Sequence, residues 1–180
     1  MKTHIHLFGA SGSGTTTIAK IAGQKLGYLH FDSDSYFWLP TTSPFTMERE
    51  RNECLKMMDE DLSKNNTWVL SGSLANWGNT LIPHFDLVVF VYIPPEIRME
   101  RLKRREYERY GNAIFCGGSR YKESQAFLNW AATYDGNPEN GRSLSKHEEW
   151  LGHITCPTMR VINIDLDTSV NAVLQAIIDG

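Results

Sequence analysis

The stretch Gly9-Ala-Ser-Gly-Ser-Gly-Thr-Thr-Thr17 constrains this chain more than any other. It follows a short run, His4 to Phe8, in which Ile5 and Leu7 alternate with His4 and His6. It opens a segment, Thr15 to Leu26, with Ile18, Ile21, Ala22 and Leu26 at helical spacing and Gly27 as the stop. Strand, glycine loop, helix is the expected order. In that order the backbone N–H groups of residues 12 to 16 converge on a phosphate, because glycine permits the turn and the close approach while the helix start adds the positive end of its dipole. The spacing Gly9, four residues, Gly14, Thr15, Thr16 fits the pattern G-x-x-x-x-G-K-[ST] at each constrained position except the lysine, where Thr15 stands. Gly9, Gly12, Ser13, Gly14, Thr15, Thr16 and Thr17 are therefore the expected nucleotide-phosphate residues, and Thr16 falls where such a loop places the hydroxyl that binds Mg²⁺. A dinucleotide reading fails, since G-x-G-x-x-G begun at Gly12 needs glycine or alanine at position 17.

The next run, Tyr28 to Asp34, reads as a second strand ending in two aspartates. On a strand, Asp32 and Asp34 point to one side, where their carboxylates can share a metal or flank a substrate hydroxyl. They also fall at a strand's carboxyl end, the functional edge of α/β sheets. Tyr36 to Phe45 is aromatic and proline-bearing, an ordered but irregular excursion, and Thr46 to Ser63 reads as a charged helix with Met47, Cys54, Leu55, Met58 and Leu62 on its apolar face. Its Arg49 and Arg51, beside the aromatic residues, are candidates for an acceptor pocket, which places an acceptor-binding region at about residues 36–66.

Thr67 to Ser71 is a third strand, followed by a helix-like stretch near Trp77 to Pro83. Asp86 to Ile93 is a continuous apolar run of the kind buried on both faces in a parallel sheet. The helix from Glu96 to Tyr110 carries Arg101, Arg105 and Arg109 at every fourth position, one cationic stripe suited to phosphate contact. Residues 112 to 142, with Gly117-Gly118, the run from Gly136 to Gly141 and the aromatic residues Tyr121, Phe127, Trp130 and Tyr134, fit a lid; the lid region is taken as about 101–142. Ser145 to Ile154 reads as a helix opened by a Ser145-Lys-His-Glu148 capping box. Arg160 to Asp165 reads as the last strand, and Ser169 to Ile178 as the closing helix.

Composition limits the function classes. A chain of 180 residues, 41% hydrophobic, suits one compact domain. With 18 basic and 21 acidic residues the net charge is −3, so no broad basic field exists for nucleic acid. Cys54, Cys116 and Cys156 are scattered and odd in number, which fits free thiols in a reducing compartment. His4 and His6 are read as one semi-polar face of a strand rather than a metal pair. The N-terminal residues run directly into the loop without a signal peptide's apolar core, and no run reaches the roughly 18 apolar residues of a membrane span. The expectation is a cytoplasmic protein with no membrane partner, monomeric or homodimeric.

Strands alternating with helices imply a parallel α/β sheet. On the loop Gly9 to Thr16, the Phe31-Asp-Ser-Asp34 strand end, the Pro95 to Arg105 segment and the Ile164 to Val170 transition, the chain resembles the adenylate-kinase-like P-loop kinases, which include the nucleoside monophosphate, shikimate and gluconate kinases. The resemblance implies a P-loop NTPase fold with a five-stranded parallel sheet flanked by helices and a lid-like insertion. It implies ATP as substrate, Asp32 and Thr16 at Mg²⁺, Asp34 at the acceptor hydroxyl, and Arg101 and Arg105 at the transferred or donor phosphates. Tyr36 and Arg51 are further acceptor-binding candidates, with Arg49 and Arg120 as alternatives for a carboxylate and Phe37 and Trp38 for a base. Two departures stand out: Thr15 replaces the lysine, and Ser71-Gly72-Ser73 lacks the acidic residue found near this strand end in many relatives. The expected function is an ATP- and Mg²⁺-dependent phosphotransferase; a non-catalytic or weakly hydrolytic nucleotide-binding regulator is the alternative.

Overall fold

A computed structural model describes residues 1–42, 44–139 and 141–180. Five parallel strands form one sheet in the order β2-β3-β1-β4-β5, with β1 at His4–Gly9, β2 at Leu29–Asp32, β3 at Trp68–Ser71, β4 at Leu87–Tyr92 and β5 at Thr158–Ile162. Helices α1 (Thr15–Leu26), α2 (Ser33–Phe37), α3 (Arg51–Ser63), α4 (Pro95–Tyr110), α5 (Tyr121–Ala132), α6 (Leu144–Leu151) and α7 (Leu166–Asp179) connect or flank them, with 3-10 turns at Asn79–His84 and Gly111–Ile114.

Period-two alternation divides the core. Ile5, Leu7, Val69, Leu87, Val89 and Val91 face one side and pack with Ile18, Ala22, Val173 and Ile177 of α1 and α7. Phe8, Trp68, Leu70, Val88 and Phe90 face the other and pack with Cys54, Met58 and Trp150 of α3 and α6. Both faces are covered, which is why β4 is apolar throughout. Each such valine or leucine, once fully buried, contributes about 1.5–3 kcal/mol. His6 lies within the second face, fully buried and stacked on Phe85 with ring centroids 4.9 Å apart. Burial lowers its pKa to about 3, so it is a neutral core residue and its strand face is not semi-polar.

Several predicted boundaries move. β2 stops at Asp32, which caps α2 by accepting from Asp34 N at 3.1 Å, so Asp34 lies in the first helical turn and not on the strand. The charged helix begins at Arg51 rather than Thr46: Glu48 forms an antiparallel bridge to Trp38, and Met47 is exposed instead of apolar-face. Ser143, not Ser145, caps α6 by accepting from Lys146 N. β5 ends at Ile162, and α7, capped by Asp165 through Thr168 N at 2.8 Å, begins at Leu166, three residues before the predicted start. The predicted lid begins inside the unbroken helix α4 and includes α5. Ser43 and Asn140, within the predicted excursion and the predicted lid, lie outside the described residues.

Candidate active site

The loop between β1 and α1 is shaped by contacts that only glycine tolerates. A Cβ on Gly9 would strike the Val91 carbonyl oxygen, and Gly12 and Gly14 sit at φ +85° and +94°. Ser13 N donates to Ala10 O at 3.0 Å, and Asn163 Nδ2 donates to Ser13 O at 2.7 Å, so the segment after β5 pins the loop from behind. Helix α1 starts with neither a side-chain cap nor an acidic residue in its first turn. Its positive end is therefore available to an anion. Among the described residues, the buried Ser13 Oγ and Asn163 Oδ1 have no hydrogen-bond partner.

The two residues read as metal-binding are brought together: Thr16 Oγ1 donates to Asp32 Oδ2 at 3.0 Å. Asp34 stands beyond them on the wall of a cavity of about 660 Å³. Burial raises its pKa, opposed by the Arg142 guanidinium; Asp32 adds to the rise, and Arg105 and Arg109 work against it.

The arginine stripe of α4 divides between two places. Arg101 Nη2 donates to the carbonyls of Asn163 at 3.1 Å and Ile164 at 3.3 Å, beside Gly14 of the loop, and does not line the cavity. Arg105 and Arg109 do line it, over the rings of Phe127 and Phe45. Arg51 and Arg120 are also on the cavity wall, as are Phe37 and Trp38. Tyr36 is not: it is buried under α3, with its hydroxyl donating to Asp61 Oδ2 at 2.9 Å. Arg49 is likewise occupied, by Tyr36 O and Glu53.

Three site residues escaped the sequence reading. Arg142 lines the cavity and lies 3.5 Å from Ser11 Oγ of the loop, in a segment without periodicity. Asn163 looked like one more strand residue. Ser73 was noted only for not being acidic, yet it is on the cavity wall and 2.8 Å from His147 Nε2.

A parallel sheet with a glycine loop at the start of its first crossover helix, and a charged cavity beside that loop, defines a P-loop phosphate-binding protein of the α/β class. Comparison narrows this. A family model described as an AAA domain matches residues 5–127. The uncharacterized protein YqaC of Bacillus subtilis (strain 168) is 44% identical over 179 residues, covering 99% of this chain and 97% of that protein. A cytidylate kinase of Archaeoglobus fulgidus is 33% identical over 113 residues, 57% of this chain and 61% of that enzyme. Shikimate kinase from Acinetobacter baumannii, solved with shikimate, has a TM-score of 0.61 at 18% identity over 98% of this chain and 93% of that one, a likeness of fold. The chain belongs to the family of this AAA-domain model, a P-loop kinase family like the nucleoside monophosphate and shikimate kinases, with a loop that lacks the lysine.

Proposed function

We propose that this protein transfers the γ-phosphate of ATP to a small anionic acceptor, with a nucleoside monophosphate as the acceptor class. The observation that carries the reading is Arg142 standing between loop and acceptor cavity, 3.5 Å from Ser11 Oγ and close enough to Asp34 to offset part of the rise that burial gives its pKa. That cation offsets the charge lost at Thr15. The acceptor class follows from the cavity's mixture of arginines (Arg51, Arg105, Arg109, Arg120) with planar aromatic walls at Phe37 and Trp38. Named activity among the similar proteins, a cytidylate kinase, supports it.

The loop amides and α1 hold the donor phosphates, and Arg101 closes the loop's outer side. Thr16 and Asp32 offer two hard oxygens 3.0 Å apart, a donor set that fits Mg²⁺, which usually takes one or two protein oxygens besides phosphate and water. When bound, Mg²⁺ supplies charge neutralisation at the transferred phosphoryl group. An acceptor oxygen forms the new bond to the γ-phosphorus as the bond to the β–γ bridging oxygen breaks and ADP leaves. Where that oxygen is a hydroxyl, Asp34 takes its proton; a phosphate oxygen brings none. Arg105 and Arg142 neutralise the charge in flight.

Transfer from MgATP to CMP, with shikimate and gluconate as comparison acceptors, tests the reading. Asp34→Ala is expected to lower kcat by about 10²-fold or more with a hydroxyl acceptor, and by much less with CMP, while ATP binding stays within a few-fold. The absence of transfer to any of these acceptors by a wild-type protein that binds ATP favours the second reading, a nucleotide-binding regulator, for which the missing lysine at Thr15 speaks.

A further inference from the structure

Behind the cavity wall, a chain of short hydrogen bonds joins three buried polar residues from different parts of the sequence. Tyr134 OH lies 2.8 Å from His147 Nδ1, and His147 Nε2 lies 2.8 Å from Ser73 Oγ. His147 is fully buried, with the rings of Phe8 and Phe90 edge-on at 5.1 and 6.0 Å. Burial, with help from Arg142, lowers its pKa to about 3, so the ring is neutral at ordinary pH and carries a single N–H. Tyr134 and Ser73 are themselves 3% and 4% exposed, yet Ser73 reaches the cavity that holds Asp34.

The direction of the chain follows from counting protons. Among the described residues the Tyr134 hydroxyl has one hydrogen-bond partner, His147 Nδ1, and its ring lies under the Arg98 guanidinium at 4.9 Å, a group that only donates. If Nδ1 carried the proton, the buried phenol hydrogen would have no acceptor, a loss comparable to a missing hydrogen bond. Tyr134 therefore donates to Nδ1, and Nε2–H donates to Ser73 Oγ. That leaves the Ser73 hydroxyl hydrogen without an acceptor among the described residues, at the cavity surface.

We infer that Ser73 is a specificity-determining residue, held by Tyr134 and His147 as a hydrogen-bond donor, and that the acceptor presents a carbonyl or phosphoryl oxygen to it beside the group that Asp34 addresses. A ligand offering only an N–H or O–H donor there can meet the second lone pair of Ser73 Oγ but leaves the Ser73 hydrogen unpaired, so a ligand oxygen is preferred at this position. His147 and Tyr134 are positioning residues. The inference rests on the kinase reading for the ligand's role, but not for the direction of the chain.

The test is two-bond ¹H–¹⁵N spectroscopy of the full chain labelled with ¹⁵N-histidine, the His147 signals being assigned by their loss in His147→Gln. The expected state is neutral His147 protonated on Nε2, with Tyr134→Phe admitting the other tautomer. Protonation on Nδ1, or an imidazolium, overturns the inference. Adding CMP is expected to shift the Nε2–H resonance in the wild type and in Ser73→Thr, and Ser73→Ala is expected to weaken CMP binding about tenfold while leaving MgATP binding unchanged. Full CMP affinity in Ser73→Ala also overturns it. If CMP leaves the wild-type spectrum unmoved, the nucleoside monophosphate reading falls, and the tautomer alone decides the direction in which Ser73 is set.

Discussion

Asp34 carries the tension between chemistry and stability in this molecule. Its carboxylate sits in a cavity that removes water faster than Arg142, Arg105 and Arg109 replace it, so its pKa is raised above the ordinary carboxylate value. A group raised in this way costs nothing below the unfolded-state pKa, where both states are protonated, and its penalty is complete once the pH exceeds the folded-state pKa. Asp34→Asn should therefore melt at a higher temperature than the wild type at neutral pH, and the difference should shrink as the pH is lowered. Paired melting curves across that range check this; an equal or lower melting temperature for the variant at neutral pH would mean that the arginines outweigh desolvation. At this scale the sequence was informative where one residue type has one job. Gly9, Gly14 and Thr16 could be placed from spacing, because a turn at φ +94° and a hydroxyl at a helix start leave few alternatives, whereas the place of Asp32 beside Thr16 was an implication of the family resemblance. Arg142 and Ser73 could not, since their partners, Ser11 and His147, are 131 and 74 positions away.

Helix α4 is the element in which the pattern was clearest and its meaning least so. Arginines at every fourth position lie on one stripe, but each step advances about 6 Å along the axis and turns about 40°, so Arg101 and Arg109 are separated by about 12 Å. That span is enough to put Arg101 at the carbonyls of Asn163 and Ile164 and Arg109 on the wall of the cavity. One helix thus serves both sides of the site. Arg98 is off the stripe, and its guanidinium is buried against Asp135 and the Tyr134 ring. Removing one partner of such a pair leaves the other charge uncompensated, so Asp135→Ala is expected to cost about 3–5 kcal/mol in urea denaturation, with Arg98→Met recovering much of that in the double variant. A loss under about 1 kcal/mol for Asp135→Ala would show the pair to be as weak as an exposed one. Short elements were misread for a plain reason: α2 has five residues, too few for helical periodicity, and its only sign was the capping position of Asp32.

At the scale of the whole molecule, the question raised by Thr15 becomes one of topology. The usual lysine reaches the phosphates from within the loop; here Arg142, from the segment that follows α5, comes back across the cavity to Ser11. On the proposed function, that charge reaches the loop only while this segment is packed against it. If Arg142 substitutes for the lysine, the two positions are not independent. Arg142→Ala is expected to lower kcat by about 10³-fold in the natural chain, since an arginine stabilising the transferred phosphoryl group contributes that much or more. In a Thr15→Lys background the same change should cost much less, and Thr15→Lys alone should raise kcat only modestly because the cation is already supplied. The quantity that decides is the interaction energy of the cycle, measured in single-turnover transfer with saturating MgATP so that binding does not enter. A positive coupling between residues 15 and 142 means that they supply one charge between them. Strict additivity means that Arg142 acts on the acceptor alone and that the loop works without any replacement for its lysine.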